Sequence, residues 1–122
     1  MIVHDFLRLF IRAIVLFFVT SSLAYANDSF NTEVQVKRQQ FIQKMTNQGI
    51  FGKIEASNGV PKVWVTPVFH QLDFNLKQKF CGVVYAYYKE VDSSVTVMRL
   101  IDSKTGKSVG VFSETYGGLK ID

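Results

Sequence analysis

The chain has 122 residues, of which 48% are hydrophobic, and its 14 basic and 10 acidic residues give a formal net charge of +4. The single cysteine, Cys81, excludes an intrachain disulfide, so the fold must be held by an apolar core, for which this composition is sufficient. The basic residues are scattered along the chain rather than clustered, which argues against a nucleic-acid-binding protein.

Residues 1–26 have the three-part layout of a secretory signal peptide. Arg8 and Arg12 form a basic first region, residues 13–19 form an apolar second region, and residues 24–26 match the A-x-A cleavage motif. We therefore expect this segment to be cleaved and the protein to be periplasmic or secreted.

An uncleaved membrane anchor is the alternative for this segment. The charge-free run of residues 13–26 is shorter than the roughly 20 apolar residues that a membrane-spanning helix needs. Cleavage would leave residues 27–122 as one small domain without a second apolar run of that length. Because the leader contains two arginines and one aspartate, the net charge of the mature chain would be +3.

A half-exposed helix is predicted over residues 32–48. Thr32 and Gln35 have the spacing of a capping box, in which each side chain bonds the backbone N–H of the other residue. Gly49 suits the left-handed conformation that ends a helix. The apolar stripe is narrow, so the remaining surface of the helix is expected to face water. The stripe consists of Val34, Phe41, Ile42 and Met45.

A β-hairpin is predicted next, with strands over residues 51–56 and 60–66. The Asn58-Gly59 pair between them favours a tight turn with two positive φ angles. Pro67 has no N–H to donate to a sheet, so it is expected to end the second strand and to start a short helical turn.

The most apolar segment after the leader is predicted to be a helix that begins after its N-cap, Asp73, and ends near Lys89. Its apolar residues recur at helical spacing in two neighbouring stripes, so we expect it to be the central helix of the core. The first stripe is Leu76, Phe80, Val83, Val84 and Tyr87, and the second is Phe74, Cys81, Tyr85 and Tyr88.

Two further strands are predicted over residues 95–101 and 107–114, and residues 119–121 could add a short edge strand. The element order is then α-β-β-α-β-β. This order predicts an α+β fold in which a four-stranded antiparallel sheet packs both helices on one face.

Candidate catalytic residues are few. Cys81, His70 and Asp73 have the side chains of a thiol nucleophile, a base and an orienting acid. A continuous helix from Asp73 to Cys81 would, however, place their backbones about 12 Å apart. We therefore predict no catalytic residues and a buried, structural Cys81.

A metal or cofactor site is not expected either. Asp92 and Asp102 could meet at neighbouring loops, but two isolated acids are more often solvated turn residues. One histidine and one cysteine after the leader, with scattered acids, make too few ligands for a metal ion.

An apolar patch on the outer side of the predicted sheet is the one candidate binding site. If the valines of the second and fourth strands face the helices, Trp64 and Phe112 face outward, and Met98 and Leu100 join them in a register that also buries Arg99. Exposed apolar patches on small proteins mark docking surfaces. The alternative is that four other apolar residues cover the patch as a second small core: Phe51, Tyr116, Leu119 and Ile121.

Three stretches carry a resemblance to a known family. Residues 63–88 read V-W-V-T-P-x-F-x-x-L-D-F-x-x-K-Q-x-F-x-x-V-V-Y-A-Y-Y, residues 99–110 read R-L-I-D-S-x-T-G-K-x-V-G, and residues 117–120 read G-G-L-K. With these motifs the chain resembles a family of small, exported bacterial proteins of unknown function. The resemblance implies a bacterial cell-envelope setting and assigns no activity and no site residues.

These features together predict a small exported, non-enzymatic protein that binds another protein through the outer sheet face or an exposed strand edge. A homodimer through the same face or edge is compatible with them. Two alternatives stay open. One is a small secreted hydrolase or thiol enzyme, and the other is an inhibitor of an extracellular enzyme such as lysozyme, although a basic surface is a poor match for a basic target.

Overall fold

The computed structural model describes residues 28–122, and the predicted signal peptide of residues 1–26 lies outside the described residues. The chain divides into a first unit that ends at Val34 and a second, compact unit, Gln35–Asp122. The described part of the first unit is the beginning of a helix. All packing discussed below lies within the second unit.

The described chain contains three helices and five strands in the order α1-β1-β2-α2-α3-β3-β4-β5. Their bounds are α1 Asp28–Asn47, β1 Phe51–Ser57, β2 Val60–Val65, α2 Pro67–His70, α3 Phe74–Val91, β3 Val97–Asp102, β4 Ser108–Ser113 and β5 Gly118–Ile121.

The predicted start of α1 is wrong. The helix already begins at Asp28, so Thr32 lies inside it and is not its N-cap. The Gln35 side chain donates through Nε2 to the carbonyl oxygen of Tyr87 over 3.0 Å and thereby connects α1 to α3. The four-residue motif fits the spacing of a helix interior as well as that of a helix start, which is why the sequence misplaced the boundary.

The predicted end of α1 is confirmed. Gly49 has a φ of 75°, in the left-handed region. The N–H of Gly49 donates to the Thr46 carbonyl, and the N–H of Ile50 donates to the Met45 carbonyl, each over 3.0 Å. These two bonds form a Schellman motif, and its usual apolar contact partners, Met45 and Ile50, are both buried.

The β1–β2 hairpin is also confirmed, because Asn58 and Gly59 have φ angles of 57° and 72°. Beyond it, the Thr66 side chain accepts from the N–H of Phe69 over 3.4 Å and caps α2, which has Pro67 in its first turn. The short helix directs Phe69 into the core, where its ring lies 6.2 Å from that of Phe51.

The α+β class is correct, but the sheet is not a four-stranded antiparallel one. It has five strands in the spatial order β1-β2-β3-β4-β5, and β2 and β3 run parallel while the other pairs are antiparallel. The edge strand suggested for residues 119–121 is present as β5 and pairs with β4.

The length of α3 explains the parallel pair. Its 18 residues span about 27 Å, whereas the six residues of β2 span about 20 Å. The helix therefore carries the chain back past the whole strand, and β3 starts beside the end at which β2 started. Strands joined by such a helical crossover run parallel.

The core is built on α3. Asp73 caps the helix, with its Oδ1 accepting from the N–H of Leu76 over 2.9 Å as predicted. Phe80 is fully buried, and its ring meets that of Phe41 on α1 edge to face at 5.5 Å. The fully buried side chains that the sheet contributes to this core include Phe51, Val63, Val65, Met98 and Leu100.

Two phenylalanines of α3 provide a matched test of this core. Phe80 is 0% exposed and Phe74 is 49% exposed. We expect Phe80→Ala to lower the free energy of unfolding by about 3–5 kcal/mol through lost burial and a cavity, and Phe74→Ala to change it by less than about 0.5 kcal/mol. Urea unfolding followed by circular dichroism measures both values. Equal losses in the two variants would contradict this packing.

Candidate functional site

The strand register assigns each sheet residue to one of two faces. Val63 pairs with Leu100, and the next pair along the parallel strands is Trp64 with Ile101. Val63 and Leu100 are fully buried beneath the helices, whereas Trp64 and Ile101 are only half-buried. Because successive side chains point to opposite faces, Trp64 and Ile101 lie on the face away from the helices.

Only Trp64 of the four residues predicted for the partner surface lies on that face. Met98 and Leu100 are 0% exposed and belong to the core. Phe112 pairs with Met98, and its ring lies 5.1 Å from that of Tyr85 on α3, so it also faces the helices. The predicted outward placement of Met98, Leu100 and Phe112 is therefore wrong.

Arg99 explains this error physically. It occupies the middle of β3, and burying its charge under the helices without a partner would be costly. The strand turns Arg99 to water, which forces its neighbours Met98 and Leu100 inward. The pairing of Arg99 with Val111 then directs that valine outward and Phe112 inward.

The residues suggested as an alternative cover do not lie over Trp64. Phe51 and Leu119 are buried on the helix side of the sheet, where Phe51 pairs with Val65 and Leu119 with Phe112. Ile121 pairs with Gly110 on that same side. Tyr116 lies in the turn before β5 and is 59% exposed.

An apolar surface is nevertheless present on the outer side, with different members from those predicted. A bulge opposite Ile101, where the register steps from Gly110 to Ser108, places Val109 beside Ile101. We call this surface the outer face. It consists of the half-buried residues Trp64, Val97, Ile101, Val109 and Val111.

Positive charge surrounds the outer face. A second bulge, in β1, brings Lys53 opposite Trp64, and its Nζ lies 4.2 Å from the centre of the indole ring. Lys53 also forms a 3.4 Å ion pair with Glu55, which is the one acid on this side of the described strands. Three further cations extend from the same side: Lys62, Arg99 and Lys120.

A histidine–aspartate pair lies at the carboxyl ends of the two parallel strands. His70 Nε2 donates to Asp102 Oδ1 over 2.8 Å. The other oxygen, Oδ2, accepts from the N–H groups of Thr105 at 2.8 Å and Lys104 at 3.2 Å. His70 is 39% exposed, and Asp102 is 14% exposed.

The bond from His70, assisted by the Thr105 N–H, lowers the pKa of Asp102 to about 2. The carboxylate thus joins α2 to the β3–β4 turn. Sequence reasoning missed this pair because it assumed antiparallel strands, whereas the carboxyl ends of parallel strands meet at one edge. Asp102 ends β3 and His70 lies in the short helix after β2, which is the signal that would have found them.

The catalytic combination excluded on sequence grounds is also not assembled in space. Asp73 caps α3, and His70 is bonded to Asp102. Cys81 is fully buried, and that burial raises the pKa of its thiol, with Lys77 acting weakly in the opposite direction. The thiol is therefore not poised as a nucleophile.

Asp92 and Asp102 do not meet. Asp92 precedes β3 and accepts from the Ser94 hydroxyl over 2.6 Å and from its N–H over 3.0 Å, whereas Asp102 ends the same strand. Those hydrogen bonds to Ser94 lower the pKa of Asp92. Across residues 28–122, no three histidine, cysteine or acidic side chains are grouped closely enough to hold a metal ion.

The sequence matches no family model, and no curated protein and no solved structure is significantly similar to it. Within the described part of the chain, no helix has both the length and the apolarity required to cross a membrane.

The Asp102 bonds predict an acid-sensitive contribution to stability. A carboxyl whose pKa is lowered on folding stabilises the folded state above its unfolded pKa of about 3.9, and this contribution is lost as the pH falls towards about 2. We expect Asp102→Asn to be less stable than the wild type at neutral pH and the gap to close in acid. Urea titrations across this range measure it, with the exposed Asp122→Asn as control. A gap that is independent of pH would contradict the assignment.

The burial of Cys81 predicts that the native protein does not react with a thiol reagent such as dithionitrobenzoate, whereas the protein in denaturant reacts fully. The variant Ser93→Cys, with its new thiol in an exposed turn, is the positive control and should react at one site without denaturant. Rapid modification of native wild-type protein would show that the thiol is accessible.

Proposed function

We propose that the chain is a small exported, non-enzymatic protein that binds an acidic protein partner through the outer face. The observation that carries this proposal is the apolar surface around Trp64, which spans three neighbouring strands and is surrounded by cations. Contiguous apolar surface of this kind on a small domain is typical of docking sites.

The outer face has the two parts that a protein interface needs. Trp64 is the type of residue that most often dominates binding energy, and its neighbours Ile101 and Val109 provide flat apolar area around it. The strands beneath are fixed by buried side chains such as Val63 and Leu100. A partner would therefore meet a preformed surface, and little entropy would be lost in ordering it.

The charge of this surface determines the kind of partner. The outer side carries four cations and Glu55, which is already paired with Lys53. Pairing this face with the same face of a second copy would bring like charges together, which opposes a homodimer through it. An acidic partner surface would instead be attracted, and its association rate would fall as salt increases.

The enzyme alternatives have less support. A thiol enzyme would need an accessible, ionisable Cys81, and burial opposes both properties. A hydrolase using His70 would need a nucleophile or a substrate-binding cavity beside it. His70 instead bonds Asp102, and this bond connects α2 to the β3–β4 turn. Export rests on the predicted leader, and the binding role rests on the outer face.

Site-specific photo-crosslinking tests the proposed role. Ile101 is replaced by p-benzoylphenylalanine in the full chain, and the protein is irradiated in the producing cell. We expect a discrete adduct with one acidic protein at this position, because the side chain lies at the centre of the outer face. The matched control carries the same amino acid at Gln40, an exposed position on α1.

Charge-reversal variants test the role of the surrounding cations in the same crosslinking experiment. Arg99→Glu in the Ile101 crosslinking protein should remove most of the adduct, and Lys44→Glu on α1 should not. The proposal is wrong if the Ile101 position gives no adduct, if Gln40 gives the same adduct, or if reversing Arg99 leaves its yield unchanged.

A further inference from the structure

A cleft lies on the opposite side of the sheet from the outer face, where α1, β1 and α3 meet. Its volume is about 270 Å³, slightly below the usual range of small-molecule pockets. Seven side chains line it: Gln39, Ile42, Gln43 and Thr46 from α1, Ile54 from β1, and Tyr87 and Tyr88 from α3.

The cleft offers several polar groups that the protein itself does not use. Among the described residues, the amides of Gln39 and Gln43 and the hydroxyls of Tyr87 and Tyr88 have no hydrogen-bond partner. Only the hydroxyl of Thr46 is committed, because it donates to the Ile42 carbonyl over 2.9 Å. Two amides and two phenols can each both donate and accept.

The lining contains no charged side chain. Apolar contact surface comes from Ile42, Ile54 and the two tyrosine rings, which stand edge to face at 5.1 Å. A charged ligand would lose hydration on entering such a cleft without gaining an opposite charge. A ligand with many hydroxyls keeps its hydrogen bonds there and places its C–H groups against the rings.

We propose that this cleft binds a small neutral polyhydroxylated molecule of the size of one sugar ring. The amides and phenols of the lining can bond the hydroxyl groups of a sugar ring. The apolar side chains of the lining can pack against the C–H groups of the same ring. A site that is built to bond hydroxyls discriminates strongly against analogues that lack them, because its own polar groups would then be left unpaired.

Contacts between the surrounding elements fix the walls of the cleft. The Gln35 side chain donates to the Tyr87 carbonyl, and the Phe41 and Phe80 rings meet edge to face between α1 and α3. The Schellman motif at Gly49 then fixes the direction in which the chain leaves α1 towards β1. A ligand would find the three elements already in place, although a cleft this small and open supports only millimolar affinity.

Titration of the ¹⁵N-labelled protein with sugars of matched size and different charge tests the proposal. The probes are methyl β-glucoside, methyl β-galactoside and N-acetylglucosamine, with glucuronate and protonated glucosamine as charged counterparts. We expect at least one neutral sugar to give saturable shifts in the backbone signals of Gln43, Ile54 and Tyr88. The charged sugars should bind at least roughly tenfold more weakly than the neutral ones, because the cleft offers no opposite charge to offset the loss of hydration of their charged groups.

Two variants remove single polar groups from the cleft, Tyr87→Phe and Gln43→Leu, and Gln40→Leu is the control on the same helix outside its lining. Retained spectra elsewhere show that each variant is folded. Loss of sugar shifts in the two cleft variants and not in the control supports the proposal. Absence of saturable shifts with all three neutral sugars, equal binding of the charged sugars, or wild-type affinity in both cleft variants would overturn it.

This proposal stands apart from the protein-binding role, because none of the cleft residues belongs to the outer face. Crosslinking at Ile101 and sugar titration at the cleft can therefore fail independently of each other.

Discussion

The packing of α3 against one side of the sheet is the constraint on which the other features depend. The helix is longer than the strands beside it, so it returns the chain to the starting edge and makes β2 and β3 parallel. The parallel pair brings the carboxyl ends of both strands together, where His70 bonds Asp102. Met98 and Leu100 are buried on the side of the sheet that packs against the same helix, and Trp64 lies on the other side.

The two sides of the sheet offer different chemistry. The outer face is apolar with four cations beside it, and a surface of that kind suits a broad acidic partner. The cleft at α1 and α3 is concave, uncharged and rich in amides and phenols, and it suits a small neutral ligand. Both surfaces are formed by residues of helices and strands rather than of loops.

Local signals in the sequence predicted the elements well and their arrangement less well. Asn58-Gly59, Gly49, Pro67 and Asp73 each act on their immediate backbone, and each has the predicted role. The direction of β3 is not a local property, because it depends on how far α3 travels. The prediction for Phe112 took the valines of the fourth strand to face the helices, whereas Val111 pairs with Arg99 and faces outward, so Phe112 pairs with Met98 and faces inward. His70 and Asp102 are far apart in sequence, and only the parallel pairing reveals them.

The parallel pair also has a consequence for the order of folding. The β1–β2 and β3–β4–β5 segments each form through short turns, whereas Lys62 meets Arg99 only after the whole of α3 has been enclosed. Pairing of β2 with β3 closes that long loop, so this one strand pair must offset the loss of chain entropy. The β1–β2 and β3–β4–β5 units would therefore form first and then join through the β2–β3 pair. They can join only once α3 has formed. Non-local pairing of this kind slows folding relative to a simple meander of the same strands.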